Sequence, residues 1–449
     1  MSGLQRTLSS GQLSMIAIGG AIGTGLFLGS GFAISLAGPS VLLSYAIGAL
    51  IALLLMRALA EMTVTDPGTG SFGTLAGRYL GDTAGYLVRY AYWSANVLAV
   101  GTEVTAVALY MRFWLPDLPG WWWIAGFSAA LIGINAVSVR VFGSVEYLFS
   151  SVKIAAILVF LLLGLFTILH PHGADIGPHL YLSAGGFFPH GIGGMWVAAV
   201  VSIFSYLGIE TIAVAAGEAQ DPQRAITRAL RSTIARLVFF YLATLAVMLA
   251  VMPWTRASSS VSPFVMVMAQ SGVPWAASLM NAVILVAALS AMNSQIFAAS
   301  RMLYGLSEAG QAPKSLSRVT RFGVPLPALL SSSVGIAFAA LVFVCAPARA
   351  FGAMIAVSIF GALFTWAMIF ATHLRFRAVR RAGWSWGSAL GLGLMLAILV
   401  TTPFTEAFRL TLAYGTPFLA VMAGLRSFGR RRQGSGRQAA PRLGADEAP

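Results

Sequence analysis

The sequence is short of charge. Only 9% of its 449 residues are Asp, Glu, Lys or Arg, against 58% hydrophobic, and the mean hydropathy is +0.82. Soluble domains carry roughly 25% charged residues, so this deficit excludes a soluble protein. Cysteine is almost absent. Cys345 stands alone in an apolar segment, which excludes any intrachain disulfide and suggests a small buried hydrophobe. Lysine is nearly missing too: there are two, Lys153 and Lys314, beside 26 arginines. Long polar stretches are lacking, so no soluble enzyme domain is present. Nothing assembles paired carboxylates, a metal cluster, an activated nucleophile or a Ser-His-Asp set.

What the chain has in abundance is long hydrophobic runs. A membrane-crossing helix needs ~20 mostly apolar residues. Twelve runs qualify, at about 14–36, 40–59, 87–112, 121–139, 147–169, 192–216, 232–252, 274–300, 328–346, 351–373, 387–403 and 408–425. The first lacks a cleavage-site pattern and exceeds the ~7–15-residue core of a signal peptide, so it is expected to be retained. The expectation is an all-α integral membrane protein. A permease-sized bundle spans 14–425, between an N-terminal segment (1–13) and a basic tail (426–449) with the composition of a disordered segment.

The net charge of +14 and pI of about 10.6 raise the question of nucleic acid. The distribution answers it. Alternating the loops from a cytoplasmic N-terminus puts 22 basic residues on one side and four (Arg112, Arg256, Arg349 and Arg409) on the other. That split follows the positive-inside rule with both termini cytoplasmic. The charge is topology, not a nucleic-acid footprint, and the partner it implies is a lipid bilayer.

Residues 16–32, "IAIGGAIGTGLFLGSGF", hold six glycines in seventeen residues. Each interior glycine costs a helix roughly 1 kcal/mol relative to alanine. A dinucleotide fingerprint fails, because no strand precedes the run and the spacing is not G-x-G-x-x-G. Close helix packing remains open, since Gly19/Gly23 and Gly25/Gly29 fit small-xxx-small spacing. So does a helix broken on purpose, whose free N–H groups line a cavity and hold a carboxylate. Span six, "SIFSYLGIETIAVAAGEAQDP", carries a glycine interruption of its own, and the matching pair favours the broken helix. Interrupted helices at corresponding positions mark the substrate site in transporters built from inverted repeats. Two five-span repeats (about 14–169 and 192–373) plus two further helices (387–425) account for all twelve spans.

Charges at mid-bilayer cost at least ~2.5–3.5 kcal/mol and are functional by default. Glu103, Lys153 and Glu210 fall well inside the spans, with Glu218 at the inner end of span six. Lys153 is the most telling. A desolvated lysine can lose its proton, whereas arginine effectively cannot. Lys153 therefore suits proton loading, with snorkelling to the nearby surface as the structural alternative. Glu210 and Glu103 could each be a structural carboxylate instead. Arg57 and Glu61, at i, i+4 near the inner end of span two, suggest a helix-end ion pair. Four of the five histidines (His170, His172, His179 and His190) lie in the loop 170–191. Their irregular spacing favours a solvated loop over a zinc site, so no metal is expected.

Several segments together are recognisable: "MIAIGGAIGTGLFLGSG", "GPSVLLSYAIGALIALLLMRALAEM", "YLGIETIAVAAGEAQDP", and "NSQIFAASRMLYGLSEAGQAPKSL" followed by "GVP". In this order, over essentially the whole chain, they resemble the amino-acid permeases of the amino acid–polyamine–organocation superfamily, and within it the bacterial amino acid transporter family. The chain departs from the pattern at Gly11-Gln12, where the family often has a basic pair; an inner-gate contact is altered there. The resemblance implies the five-plus-five inverted-repeat (LeuT-like) fold with helices one and six broken. It implies a substrate site at Ala21, Ile22, Gly23, Thr24 and Gly25. Thr24 and Gly25 would offer N–H groups to the carboxylate, and the carbonyls of Ala21, Phe204 and Leu207 would receive the ammonium. Phe204 would gate the site and Glu103 would line it. Lys153 would stand where sodium-coupled relatives bind their ion. Glu210 would organise the break or the proton path, and Glu218 an inner-gate network.

The resulting expectation is a secondary transporter in a bacterial inner membrane, importing amino acids by proton symport and alternating access, with no cofactor beyond the coupling proton. The alternatives are an amino acid exchanger with little proton coupling and, from another class, a non-transporting receptor. The side-chain specificity is not readable, because the generic amino and carboxylate contacts are backbone.

Overall fold

The computed structural model describes Met15 and residues 20–65, 72–170, 175–211 and 222–438. Among them no strand occurs. The helices are α1 (Thr24–Phe27), α2 (Gly29–Ala37), α3 (Val41–Thr65), α4 (Phe72–Leu80), α5 (Asp82–Met111), α6 (Gly120–Val137), α7 (Val139–Leu169), α8 (Gly191–Tyr206), α9 (Pro222–Val251), α10 (Pro263–Ala269), α11 (Ala276–Glu308), α12 (Leu326–Ser332), α13 (Val334–Cys345), α14 (Ala350–Val379), α15 (Trp386–Thr401) and α16 (Arg409–Gln438). Nine helical stretches of the described residues are long and apolar enough to cross a membrane, and Gly191–Tyr206 and Ala235–Val251 are shorter apolar helices.

The core runs around α5, which packs against α11, α14 and α13. From Ala95 to Ala108 every α5 residue is buried, whatever face it occupies. A helix apolar on all faces is stable either inside a bundle or against lipid. α7 shows the second case. Ile157 and Phe160 are buried, while Leu162, Leu165, Phe166 and Leu169 are exposed on the outside of the bundle. An outward face of leucine and phenylalanine is a lipid-facing surface.

Two expectations are corrected here. Cys345 is exposed, not buried. The inward residues of α13 are Gly335, Ile336, Ala339 and Phe343, and position 345 falls about 200° around the helix from Phe343. At the C-terminal end, α16 continues through Gln438. Extending an existing helix avoids the nucleation cost, and arginine and glutamine are good helix formers. Span five begins earlier than 147, because α7 starts at Val139 with the Ser138 hydroxyl accepting from the Val141 N–H at 3.2 Å. That shift brings Glu146 into the bundle.

Candidate functional site

The first helix breaks at Ile22–Gly23. Gly20 and Ala21 are helical, Gly23 is extended (φ −132°, ψ −151°), and α1 restarts at Thr24. The first N–H groups of a helix have no partner within it. Here the Thr24 N–H donates to Glu103 Oε2 at 3.3 Å. Two residues earlier, the Ile22 carbonyl accepts from Lys153 Nζ at 2.8 Å. One acid and one base, from α5 and α7, thus grip the same three-residue break. The Tyr241 hydroxyl reaches the Ala21 carbonyl at 2.7 Å and the Ser205 carbonyl at 2.7 Å, so α9 ties the break to α8.

The second break follows α8. Leu207 is extended (φ −61°, ψ 139°) and Gly208 takes φ +106°, a left-handed conformation that favours glycine. Glu210 folds back on this turn, and both carboxylate oxygens accept from the Gly208 N–H at 3.2 Å. Trp366 Nε1, from α14, donates to Glu210 Oε2 at 3.3 Å. The geometry of Glu210 is that of a carboxylate satisfying freed backbone.

The two breaks touch. A Cβ on Gly208 would lie 2.6 Å from the carbonyl carbon and oxygen of Gly20, and a Cβ on Gly25 would lie 2.7 Å from the Ser205 Cα. Both readings of the glycine run, close packing and a broken helix, therefore have a physical basis: the glycines allow the helix to break and allow its parts to approach α8. The Ser205 hydroxyl donates to the Gly25 carbonyl at 2.8 Å, and Tyr45 Oη lies 2.9 Å from Ser205 Oγ.

Lys153 is fully buried and lies within electrostatic reach of Glu146 and Glu103. Glu146, also fully buried, was not among the sequence candidates. Ser290 donates to its Oε1, Asn293 Nδ2 donates to its Oε2 at 3.0 Å, and Asn135 Nδ2 donates to Asn293 Oδ1 at 2.7 Å. This network joins α6, α7 and α11 beside the lysine. The signal for it was the seven-residue spacing from Glu146 to Lys153, two turns on one helix face.

Near the break, the Thr24 hydroxyl, the Ser294 hydroxyl and the Gln295 Oε1 are buried without a hydrogen-bond partner among the described residues. Buried polar atoms are normally paired; Thr24 and Gln295 lie beside Glu103 and Ser294 beside Glu146, so a polar ligand would share these groups with the two carboxylates. Phe204 is buried (4% exposed) and its carbonyl accepts the Leu207 N–H at 3.2 Å. The Ala21 and Phe204 carbonyls, both expected to receive an ammonium, are thus already engaged, each with a second lone pair left.

Arg57 and Glu61 do not pair. Arg57 is exposed, and Glu61 turns instead to α14. Arg377 Nη1 donates to both Glu61 oxygens at 2.8 and 2.9 Å, and His373 Nε2 lies 3.1 Å from Glu61 Oε2. His373 Nδ1 is 2.7 Å from Ser388 Oγ on α15. A guanidinium on a neighbouring helix, its Nη1 bridging both carboxylate oxygens and its other nitrogens held by the Gly383 and Ala382 carbonyls, outcompetes an i, i+4 partner on a solvated face. Glu218 and His172 lie outside the described residues. His170, His179 and His190 have separate neighbours in Phe166, Asp175 and Trp254. No group of three or more potential metal ligands occurs among the described residues.

The comparisons with known proteins point the same way as this geometry. The family model for amino acid permeases matches residues 12–428. The aromatic amino acid transport protein AroP of Escherichia coli (strain K12) is 40% identical over 382 residues, 84% of this chain and 83% of that one. The uncharacterized amino acid permease YtnA of Bacillus subtilis (strain 168) is 39% identical over 377 residues, 83% and 81% of the two chains. AroP of Salmonella typhimurium (strain LT2) is 37% identical over 422 residues, 91% and 92%. A bundle of apolar helices with two interrupted ones in contact, and a family match over nearly its whole length, place this chain in the amino acid permease family: it is a multi-pass membrane transporter, not an enzyme.

Proposed function

We propose that this protein imports amino acids, aromatic ones first, across a bacterial cytoplasmic membrane by proton symport. Its twelve crossings form two inverted five-helix repeats plus two helices, with both termini in the cytoplasm. The observation that carries the reading is the double grip on Ile22–Thr24, with Lys153 on the Ile22 carbonyl and Glu103 on the Thr24 N–H. The aromatic preference follows the printed names of the relatives.

The substrate carboxylate binds at the Thr24 and Gly25 N–H groups, aided by the positive end of the restarting helix. Glu103 already holds the Thr24 N–H. Two carboxylates on one donor repel, so substrate entry displaces Glu103 or requires it to take a proton. The substrate ammonium takes the remaining lone pairs of the Ala21, Phe204 and Leu207 carbonyls. Lys153 holds its proton while the Ile22 carbonyl solvates it, and gives the proton up when the break rearranges and that acceptor is lost. Glu210 keeps the second break intact through the cycle.

The test is uptake of L-phenylalanine into proteoliposomes under proton and sodium gradients imposed separately. Accumulation is expected with the inward proton gradient alone. Accumulation driven by sodium overturns the coupling, and uptake that requires internal amino acid while ignoring both gradients replaces symport by exchange.

A further inference from the structure

A carboxylate deep inside a membrane bundle is costly and marks a function by default. Glu146 is such a group, fully buried on α7, and nothing in substrate binding at the two breaks accounts for it. We propose that Glu146 is the group that takes the proton from Lys153, through the Ser150 hydroxyl, and passes it toward the cytoplasm. This rests on the reading of Lys153 as the coupling residue.

Three side chains of one helix make the route. Ser150 lies four residues after Glu146 and three before Lys153, the spacings that bring neighbours together on one helix face. All three are fully buried. Lys153 lies within electrostatic reach of Glu146. The Ser150 hydroxyl has one proton and two acceptors for it: the Met15 carbonyl at 2.9 Å and Glu146 Oε1 at 3.5 Å. Met15 stands just before the first break, and Ile22, whose carbonyl holds Lys153 Nζ at 2.8 Å, stands in it. One rearrangement of that stretch therefore takes the acceptor from Lys153 and turns Ser150 from Met15 to Glu146.

The step is a proton relay. A Lys153 Nζ–H proton passes to Ser150 Oγ as the Ser150 hydroxyl proton passes to Glu146 Oε1. An ammonium and a carboxylate become an amine and a carboxylic acid, with no charge left unpaired out of water. The surroundings suit both forms of Glu146. As a carboxylate it accepts from the Ser290 hydroxyl at Oε1 and from Asn293 Nδ2 at Oε2, 3.0 Å away. As an acid it can donate back to Ser290, because a hydroxyl both donates and accepts. Ser294 Oγ, buried without a partner among the described residues, stands beside it as a further acceptor. The groups that face it from α11 (Ser290, Asn293 and Ser294) are neutral, as is Asn135 of α6 behind Asn293. The charged group in its reach among the described residues is Lys153, which lies in turn within reach of Glu103 on α5. Position sets the direction. Glu146 stands ~10 Å nearer than Lys153 to the Val139 end of α7, the end that the loop charges, Arg140 among them, assign to the cytoplasm.

The experiment reads proton entry and phenylalanine exchange in proteoliposomes of the full chain, with a pH-sensitive dye trapped inside. The wild type should take up protons together with L-phenylalanine. Glu146→Gln keeps the size of the side chain and an oxygen for Ser290 but cannot accept a proton. It should lose phenylalanine-driven proton entry while counterflow exchange of phenylalanine persists. Ser150→Ala keeps the acid and removes the bridge, and should slow proton entry several-fold with exchange again intact. A carboxylate that only fastens α7 to α11 would lower both readouts in step, and that result overturns the proposal, as does wild-type proton entry in Glu146→Gln. If Glu146→Gln fails to fold, Ser150→Ala decides: unchanged proton entry there overturns the relay. Lys153→Gln separates the two readings. If it still takes up protons with phenylalanine, the reading of Lys153 fails and the relay with it. If it does not, and Glu146→Gln does, the relay alone fails. Proton entry absent from the wild type overturns both.

Discussion

Thr24 carries its role through its backbone, which makes proline an informative replacement. Thr24 is the first residue of α1, the position where proline is best tolerated, and the preceding Gly23 is already extended as proline requires. Thr24→Pro therefore removes the N–H together with the side-chain hydroxyl from an otherwise intact helix start. Central substrate binding should fall at least about tenfold, the scale of a hydrogen bond to a charged group. Unchanged affinity for L-phenylalanine by calorimetry would remove this N–H from the site. Lys153 is tested by keeping its hydrogen bond and removing its proton. Deleting one member of a buried charged set costs about 3–5 kcal/mol, so Lys153→Ala risks unfolding. Lys153→Gln can still donate to the Ile22 carbonyl but cannot titrate. Proton-driven accumulation should vanish while counterflow exchange of phenylalanine persists. Lys153→Arg should behave alike, since guanidinium holds its proton. Full accumulation by Lys153→Gln would show that the coupling proton travels elsewhere.

The two interrupted helices are the elements that the sequence announced most clearly, and the reason is local. A glycine-rich run weakens a helix wherever it sits, so the cost at 19–31 and at Gly208 is visible without knowing the neighbours. Glu146 was missed for the opposite reason. Its importance depends on Ser290 and Asn293 from a helix about 145 positions away, and an apolar-run boundary at 147 left it in a loop. The contact between the breaks gives a prediction at this scale. Gly208→Ala must accommodate φ +106° and a Cβ 2.6 Å from the Gly20 carbonyl. The left-handed backbone alone costs of order 1–3 kcal/mol for a residue with a side chain. The variant should lose transport and melt lower, because the two breaks must separate. A Gly208→Ala protein with wild-type uptake would mean that the breaks do not need their close approach. Gly23 makes no such demand for φ, being extended, and its substitution is limited by Ala291 and Glu103 instead.

On the scale of the whole molecule, alternating access needs an end that closes and an end that opens. The Glu61–Arg377–His373 cluster fastens α3 to α14, and Ser388 extends it to α15. The other end of α5, where Tyr110 and Phe113 meet Asn281 of α11, carries no such cluster among the described residues. This clamp was invisible in the sequence because its partners are more than 300 positions apart, while the adjacent Arg57 offered a plausible local pair. If the clamp is the closure at the cytoplasmic end, neutralising Glu61 should release Arg377 and His373 together and favour the conformer open on that side. The static cost is small: the Glu61 side chain is 38% exposed, and ion pairs that wet contribute about 1 kcal/mol or less. A population of conformers responds steeply to such an energy, since 1.4 kcal/mol is tenfold. Met62, buried beside Glu61, can report the change. With Cys345, which is exposed, replaced by alanine, a Met62→Cys protein should react slowly with a maleimide. Adding Glu61→Gln should speed the reaction several-fold while the protein keeps its fold by circular dichroism. Equal labelling rates with and without Glu61→Gln would make the cluster a fastening between helices with no part in the gate.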